Sequence, residues 1–288
     1  WLPQALDISC CCQRMIGKTM SVISQTDVEA YANDGVLLIK SLLTRNEVSD
    51  LREGIDVNIS NPSSRAQVAS DENDPGWFLE DFCTWQENPA YQRVIFESDI
   101  SEVAAKLMCS KEVRLFHDHM LVKKKGTLQR TPWHQDQPYY NIEGMQNISF
   151  WIPVDPVPLE WTLEFVAGSH QDPWYMPRTF LKKQAKWFQE GELKELPDVE
   201  ANPDKYRVLS WALEPGDAVV FHMLTLHAGA GAGALRRVFS LRLIGDDIRH
   251  APRSWKTSPE FPGLSDQLPA GAPMNHDFFP LIWPASRA

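Results

Sequence analysis

The sequence predicts a mainly β domain with flanking helices, and three observations carry that reading. Helical patterns dominate residues 24–109; from residue 112 short β-type runs follow one another, punctuated by Gly, Pro and Asp; and strands do not alternate with helices as a parallel sheet requires. A sandwich or barrel follows from this pattern.

The elements can be justified in order. SQTDVEAYANDGVLLIK reads as a capped helix closed by Gly35, then an apolar strand from Val36. In TRNEVSDLREGIDVNI, Val48, Leu51, Ile55 and Ile59 recur at helical spacing, which predicts a second amphipathic helix. Residues 61–75, rich in Ser, Asn, Asp and Pro, read as a loop. DISEVAAKLMC is a third helix, opened by Asp99 or Ser101. The β-type runs are EVRLFHDHMLVK, NISFWIPV, TLEFV, YRVLSWAL, DAVVFH and RVFSLRLIG. Two stretches interrupt them: a polar, partly helical insertion at 171–205, read as a lid, and a Pro-rich aromatic tail at 246–288.

With 288 residues, 43% of them hydrophobic, the chain can bury a large core. Its net charge is −10 and its Lys and Arg residues are dispersed, which argues against a nucleic-acid surface or an anionic-membrane patch. No apolar run is long enough for a transmembrane helix. Residues 1–19 lack the basic start and apolar run of a secretory signal. They are read as an N-terminal extension of artefactual character, ahead of a single domain over 20–288. Five cysteines form no framework: Cys10, Cys11 and Cys12 are adjacent and poor zinc ligands, and Cys83 and Cys109 are isolated. A reducing compartment, the cytoplasm, is expected.

In TPWHQDQPYY, His134 and Asp136 lie two residues apart, so in an extended segment both project to one side. GDAVVFHMLTLHAGAGAG offers a second histidine, His222 or His227. Two histidines and one carboxylate make the facial triad that leaves positions open on non-haem iron(II). His117 and His119 alternate on a strand and suit a core or a cavity; His170, His250 and His276 read as turn or surface residues.

PWHQDQPYY, SFWIPVDPV, TLEFVAGSH, GDAVVFHMLTLHAG and RRVFSLR, in this order, resemble the motifs of the phytanoyl-CoA dioxygenase family over about residues 24–245. The resemblance implies a double-stranded β-helix, a cupin-like jelly-roll with iron at its mouth. It implies Fe(II) with 2-oxoglutarate and O2 as cosubstrates, and release of succinate and CO2. It makes His134, Asp136 and His227 the catalytic metal ligands and His222 a strand residue; five positions apart, the two histidines cannot face one metal from a single regular strand. The distal carboxylate of 2-oxoglutarate calls for a cation, and the planar fork of arginine fits it. Alternation puts Arg236, Val238, Ser240 and Arg242 on one face, and the family's Arg-x3-Ser spacing selects Arg236 with Ser240. Arg237 is the alternative, because the Ala/Gly-rich loop before it is shorter than in typical members. Trp151 and Met120 match family positions beside the cosubstrate. Related halogenases lack the carboxylate ligand, so Asp136 implies hydroxylation.

The substrate is less legible. Tyr139, Tyr140, Trp161 and Trp174 are candidate pocket walls, and Arg178 and Lys123 candidate anchors. Family substrates range over acyl-CoA thioesters, amino-acid-derived solutes, aminophosphonates and natural products. Without a basic cluster, a small polar molecule is expected ahead of an acyl-CoA. A non-catalytic binding sandwich and a zinc hydrolase with the same ligands are the competing classes.

Overall fold

The computed structural model describes residues 23–70, 72–177 and 193–284. The extension at 1–19, its cysteines, most of the helical stretch at 180–193 and Arg178 lie outside these residues. The helices are α1 (Gln25–Asp34), α2 (Arg45–Ser60), α3 (Pro89–Glu97), α4 (Ile100–Met108) and α5 (Leu264–Gln267). The strands are β1 (Val36–Ile39), β2 (Gln67–Val68), β3 (Phe78–Phe82), β4 (Val113–Lys123), β5 (Thr131–His134), β6 (Ile142–Glu143) and β7 (Asn147–Pro153). They continue with β8 (Leu163–Val166), β9 (Val208–Leu209), β10 (Ala218–Phe221), β11 (His227–Gly229), β12 (Arg236–Ile244), β13 (Arg249–His250) and β14 (Leu281–Trp283).

The first helices form where their caps dictate. The Ser24 hydroxyl accepts from the Asp27 amide while the Asp27 carboxylate accepts from Ser24, and Thr44 and Glu47 repeat this at α2. Gly35 ends α1 in the left-handed region, at φ 70. A Cβ there would collide with the His170 ring and sit 2.6 Å from the Thr225 hydroxyl. Gly35→Ala is therefore expected to lower stability by about 1–3 kcal/mol, measurable by urea unfolding. Helix α3 has no counterpart in the sequence reading, although Asn88 caps it and Pro89 opens it.

Two antiparallel sheets form an open jelly-roll. The large sheet runs β1-β10-β7-β12-β4-β3-β2, with β14 also on β4; the small sheet runs β5-β11-β8-β9. Strand alternation sorts the large sheet's side chains onto two faces. The outer face, including Met120, Phe239 and Leu241, packs with Leu51 and Ile55 of α2 and Tyr91 of α3 into the main core. The inner face packs Trp151, Val219, Phe221 and Val238 against Leu163 and Phe165 of the small sheet. A third cluster lies under the Pro-rich tail, where Phe279, Leu264 and Ile248 cover Phe116, Tyr139 and Tyr140.

Some readings need correction. YRVLSWAL contributes only the two-residue β9, and the loop at 61–75 contains β2. His170 and His250 are buried, not superficial. His222 and His227 do not share a strand, since β10 ends at Phe221 and the chain turns into the other sheet before β11. The parity argument between them does not apply.

Candidate metal centre

His134 ends β5 and His227 begins β11, and these two residues are paired across the small sheet. Their rings lie 4.1 Å apart, centroid to centroid. Asp136 reaches them from beyond the strand. Its backbone is helical (φ −75, ψ −46), not extended, because the amides of Asp136 and Gln137 both bond to the Met223 carbonyl and turn the chain. Convergence of the His-x-Asp pair thus comes from this turn rather than from strand alternation.

The donor atoms meet at one point. The Asp136 carboxylate lies 3.5 Å from Nε2 of His134 and 3.8 Å from Nε2 of His227, and ligand atoms from all three lie within 4.8 Å of one another. Each histidine is oriented through its other nitrogen: Nδ1 of His134 is 2.8 Å from the Pro132 carbonyl, and Nδ1 of His227 is 2.9 Å from the Thr225 carbonyl. Donation from Nδ1 turns Nε2, the nitrogen able to ligate, toward the shared point. Phe221 and Phe165 pack on the His227 ring. Burial, and then the neighbouring His134, lower the His227 pKa to about 3, so its ring is neutral and able to ligate at pH 7.

Asp136 is buried, and burial alone would raise its pKa. The Arg242 guanidinium, with the two imidazoles, overcomes this and holds the carboxyl well below the usual range. Arg242 Nε donates to Asp136 Oδ2 at 3.0 Å and lies 3.2 Å from the Tyr140 hydroxyl, and Ser149 Oγ lies 3.3 Å from the same carboxylate oxygen. The sequence reading placed Arg242 on the correct face without giving it a role. The available signal was that a buried carboxylate needs a cation. The donor set of two oriented imidazoles and one ionised carboxylate fits a divalent metal with bonds of roughly 2.1 Å.

Among the described residues, no carboxylate pairs with Arg236. It is buried, donates to the Trp161 carbonyl and packs 5.6 Å from the centre of the Trp151 ring; burial lowers its pKa to about 10. Arg237 points the other way and is neutralised by Asp155, at 2.7 Å, and Asp56, at 2.8 Å.

Two expected cosubstrate contacts are corrected. Met120 projects into the core with Phe239, on the face opposite Arg236, because even-numbered positions of β4 point toward the helices. Ser240 lies four strand positions from Arg236, roughly 13 Å; its hydroxyl donates to the Phe150 carbonyl at 2.6 Å and accepts from Arg242. Ser240 therefore supports Arg242.

Of the candidate pocket residues, Tyr139 sets its ring edge-on to His134 at 6.2 Å, and Tyr140 backs Arg242. Trp174 stacks 4.9 Å from Arg253, which donates to the Tyr140 and Ile142 carbonyls. Trp161 serves Arg236 through its carbonyl.

Lys123 is directly paired with Arg236 across β4 and β12, and its ammonium bonds the Gln129 and Ala230 carbonyls at 2.7 and 2.9 Å. Burial first, then Arg236, lowers its pKa from 10.5 to about 6. The unfolded chain binds more protons than the folded one between those values, so the penalty is greatest below pH 6 and fades as pH rises. Wild-type stability relative to Lys123→Met is expected to climb within that window, by at most about 1.4 kcal/mol per pH unit. Urea titrations at several pH values read this slope.

The family model described as phytanoyl-CoA dioxygenase (PhyH) matches residues 31–238. The chain belongs to the phytanoyl-CoA dioxygenase family. Members of this family are non-haem iron enzymes that use 2-oxoglutarate, and the His134, Asp136, His227 cluster fits that chemistry. Among solved structures, the fold is similar to the non-haem alpha-ketoglutarate-dependent carbocyclase SnoK from nogalamycin biosynthesis. The TM-score is 0.71 and the identity 18%, over 92% of this chain and 99% of that one. It is similar to the epimerase SnoN in complex with Fe3+, alpha-ketoglutarate and nogalamycin RO, with a TM-score of 0.69 and 20% identity over 88% and 96% of the two chains. It also resembles EctD from S. alaskensis with 2-oxoglutarate and 5-hydroxyectoine, with a TM-score of 0.62 and 18% identity over 90% and 88%. No curated protein matches by sequence. No helix among the described residues is long and apolar enough to cross a membrane.

Proposed function

We propose that this dioxygenase-family chain hydroxylates a small polar organic substrate, with His134, Asp136 and His227 holding Fe(II) and Arg236 receiving the distal carboxylate of 2-oxoglutarate. The observation that carries this reading is the pairing of a converged His-Asp-His donor set with a buried arginine that no described carboxylate neutralises. A buried guanidinium is costly without a counter-charge, and a dicarboxylate cosubstrate supplies one. When bound, iron with 2-oxoglutarate and O2 would supply the oxidising chemistry, one oxygen atom of O2 going to the hydroxylated substrate and the other to succinate as CO2 is released.

The chain's own groups do the positioning. The Pro132 and Thr225 carbonyls orient the imidazoles, and Arg242 with Ser149 keeps the Asp136 carboxylate ionised and aimed at the shared point. Trp151 offers an apolar ring beside Arg236, which strengthens the charge pairing by excluding water. An aspartate at 136 favours hydroxylation over halogenation.

Anaerobic addition of 2-oxoglutarate to the Fe(II)-loaded protein is expected to produce a metal-to-ligand charge-transfer band. Its absence would sink the oxygenase reading and favour a hydrolytic or non-catalytic metal site. Succinate formation driven by an acyl-CoA above small polar compounds would replace the substrate class by a thioester.

A further inference from the structure

After β13 the Pro-rich tail returns to the metal centre. Its segment 251–258 runs along residues 138–142, the stretch that follows Asp136, and donates to each carbonyl there. Trp255 Nε1 donates to Pro138 at 3.1 Å, the Ser258 amide to Tyr139 at 2.9 Å and the Ala251 amide to Asn141 at 2.8 Å. Arg253 supplies the other two, with Nε on the Tyr140 carbonyl at 3.0 Å and a terminal nitrogen on that of Ile142 at 2.6 Å. A surface connection ordinarily leaves such carbonyls to water, which fixes no direction for the backbone. Here the tail fixes it at every residue of the stretch.

The side chains of that stretch wall the site. Tyr139 turns its ring edge to His134, and the Tyr140 hydroxyl lies 3.2 Å from the same Arg242 Nε that donates to Asp136. Both tyrosines pack in the cluster that Leu264, Leu268 and Phe279 of the tail complete. Arg253 is itself held on several sides. Its guanidinium carbon lies 4.9 Å from the centre of the Trp174 ring and 5.6 Å from that of Trp255, and its other terminal nitrogen meets Glu143 at 2.8 Å. The Trp174 segment is fastened in turn to Gln135, between two candidate ligands, because the Tyr175 amide donates to the Gln135 side-chain oxygen at 2.8 Å. A rigid planar fork thus joins three chain segments, a geometry that a single ammonium does not supply.

We propose that the tail is a strap that sets the geometry of the metal centre, with Arg253 as its positioning residue. Arg253 acts at one remove: it holds Tyr139 and Tyr140, and through them His134, Arg242 and Asp136. Groups that orient metal ligands from behind typically govern metal affinity by about 10–100-fold. The inference rests on the reading of His134, Asp136 and His227 as metal ligands.

The test is titration of the metal-free full chain with cobalt(II), whose visible absorption reports binding at the donor set without turnover. Arg253→Met is expected to weaken cobalt binding roughly 10-fold or more. Arg237→Leu, which weakens the fold by breaking the contacts with Asp155 and Asp56, is the control and should bind cobalt as the wild type does. Unchanged cobalt affinity in a folded Arg253→Met protein, or an equal loss in both variants, overturns the proposal. Should Arg253→Met fail to fold, Trp255→Phe decides. It keeps a ring beside Arg253 and loses the bond to the Pro138 carbonyl, so a weakening of about 3-fold or more is expected, and unchanged affinity overturns the proposal. A wild type that binds no cobalt sinks the metal-centre reading and the strap's role with it. A wild type that binds cobalt, matched by its tail variants, leaves that reading standing and removes the strap alone.

Discussion

Asp136→Ala is expected to abolish iron-dependent succinate formation and to lower stability by about 3–5 kcal/mol. Two losses combine. The metal loses its one carboxylate ligand, and Arg242 is left buried with no charge opposite. His227→Ala separates them, since it removes a ligand while leaving the Asp136–Arg242 pair whole. It should lose iron and turnover with a smaller drop in stability. Iron content by elemental analysis, together with urea unfolding of both variants, checks the pair. A fully active His227→Ala would move the ligand elsewhere. His222 is poorly placed to take over, because its Nε2 lies 2.9 Å from the Met145 carbonyl and its Nδ1 accepts from the Leu224 amide.

Arg236→Leu is expected to raise the KM for 2-oxoglutarate about 30-fold or more, the cost of deleting one member of a buried charge pair. Its stability should stay level or rise, because without cosubstrate the buried guanidinium has no described carboxylate to lose. Arg237→Leu should do the opposite. It breaks the contacts with Asp155 and Asp56 and weakens the fold, while leaving the KM unchanged. Steady-state kinetics and denaturation on the two variants thus divide the adjacent arginines. An unchanged KM in Arg236→Leu would remove Arg236 from the site.

Much of the architecture was legible because it is local. Ser24 with Asp27 and Gly35 are short-range devices that bound the first helix where the sequence pattern placed it, and Thr44 with Glu47 is a device of the same kind that the structure adds at the start of the second. The β-type runs became strands wherever alternation was long, as in β4 and β12. Around 206–213 the neighbours are split, β8 taking Val208–Leu209 and Val157 bridging Leu213, and only a two-residue strand formed. Strand formation depends on a partner, and the partner is not local.

The candidate site divides along the same line. The sequence by itself supplied the ligand types, the His-x-Asp spacing and an arginine-bearing strand, because residue identity and a period of two are written along the chain. It also assigned Ser240 to Arg236 and Met120 to the cosubstrate. Both assignments came from motif resemblance, and neither could see that 13 Å of strand, roughly, or the opposite sheet face intervened. Only the tertiary structure decided those points. It also decided that Asp136 arrives by a turn held at Met223 and that Arg242 keeps it charged. The reason is physical: a side chain's charge state and direction depend on what lies across the sheet from it, and that distance is short in space and long in sequence.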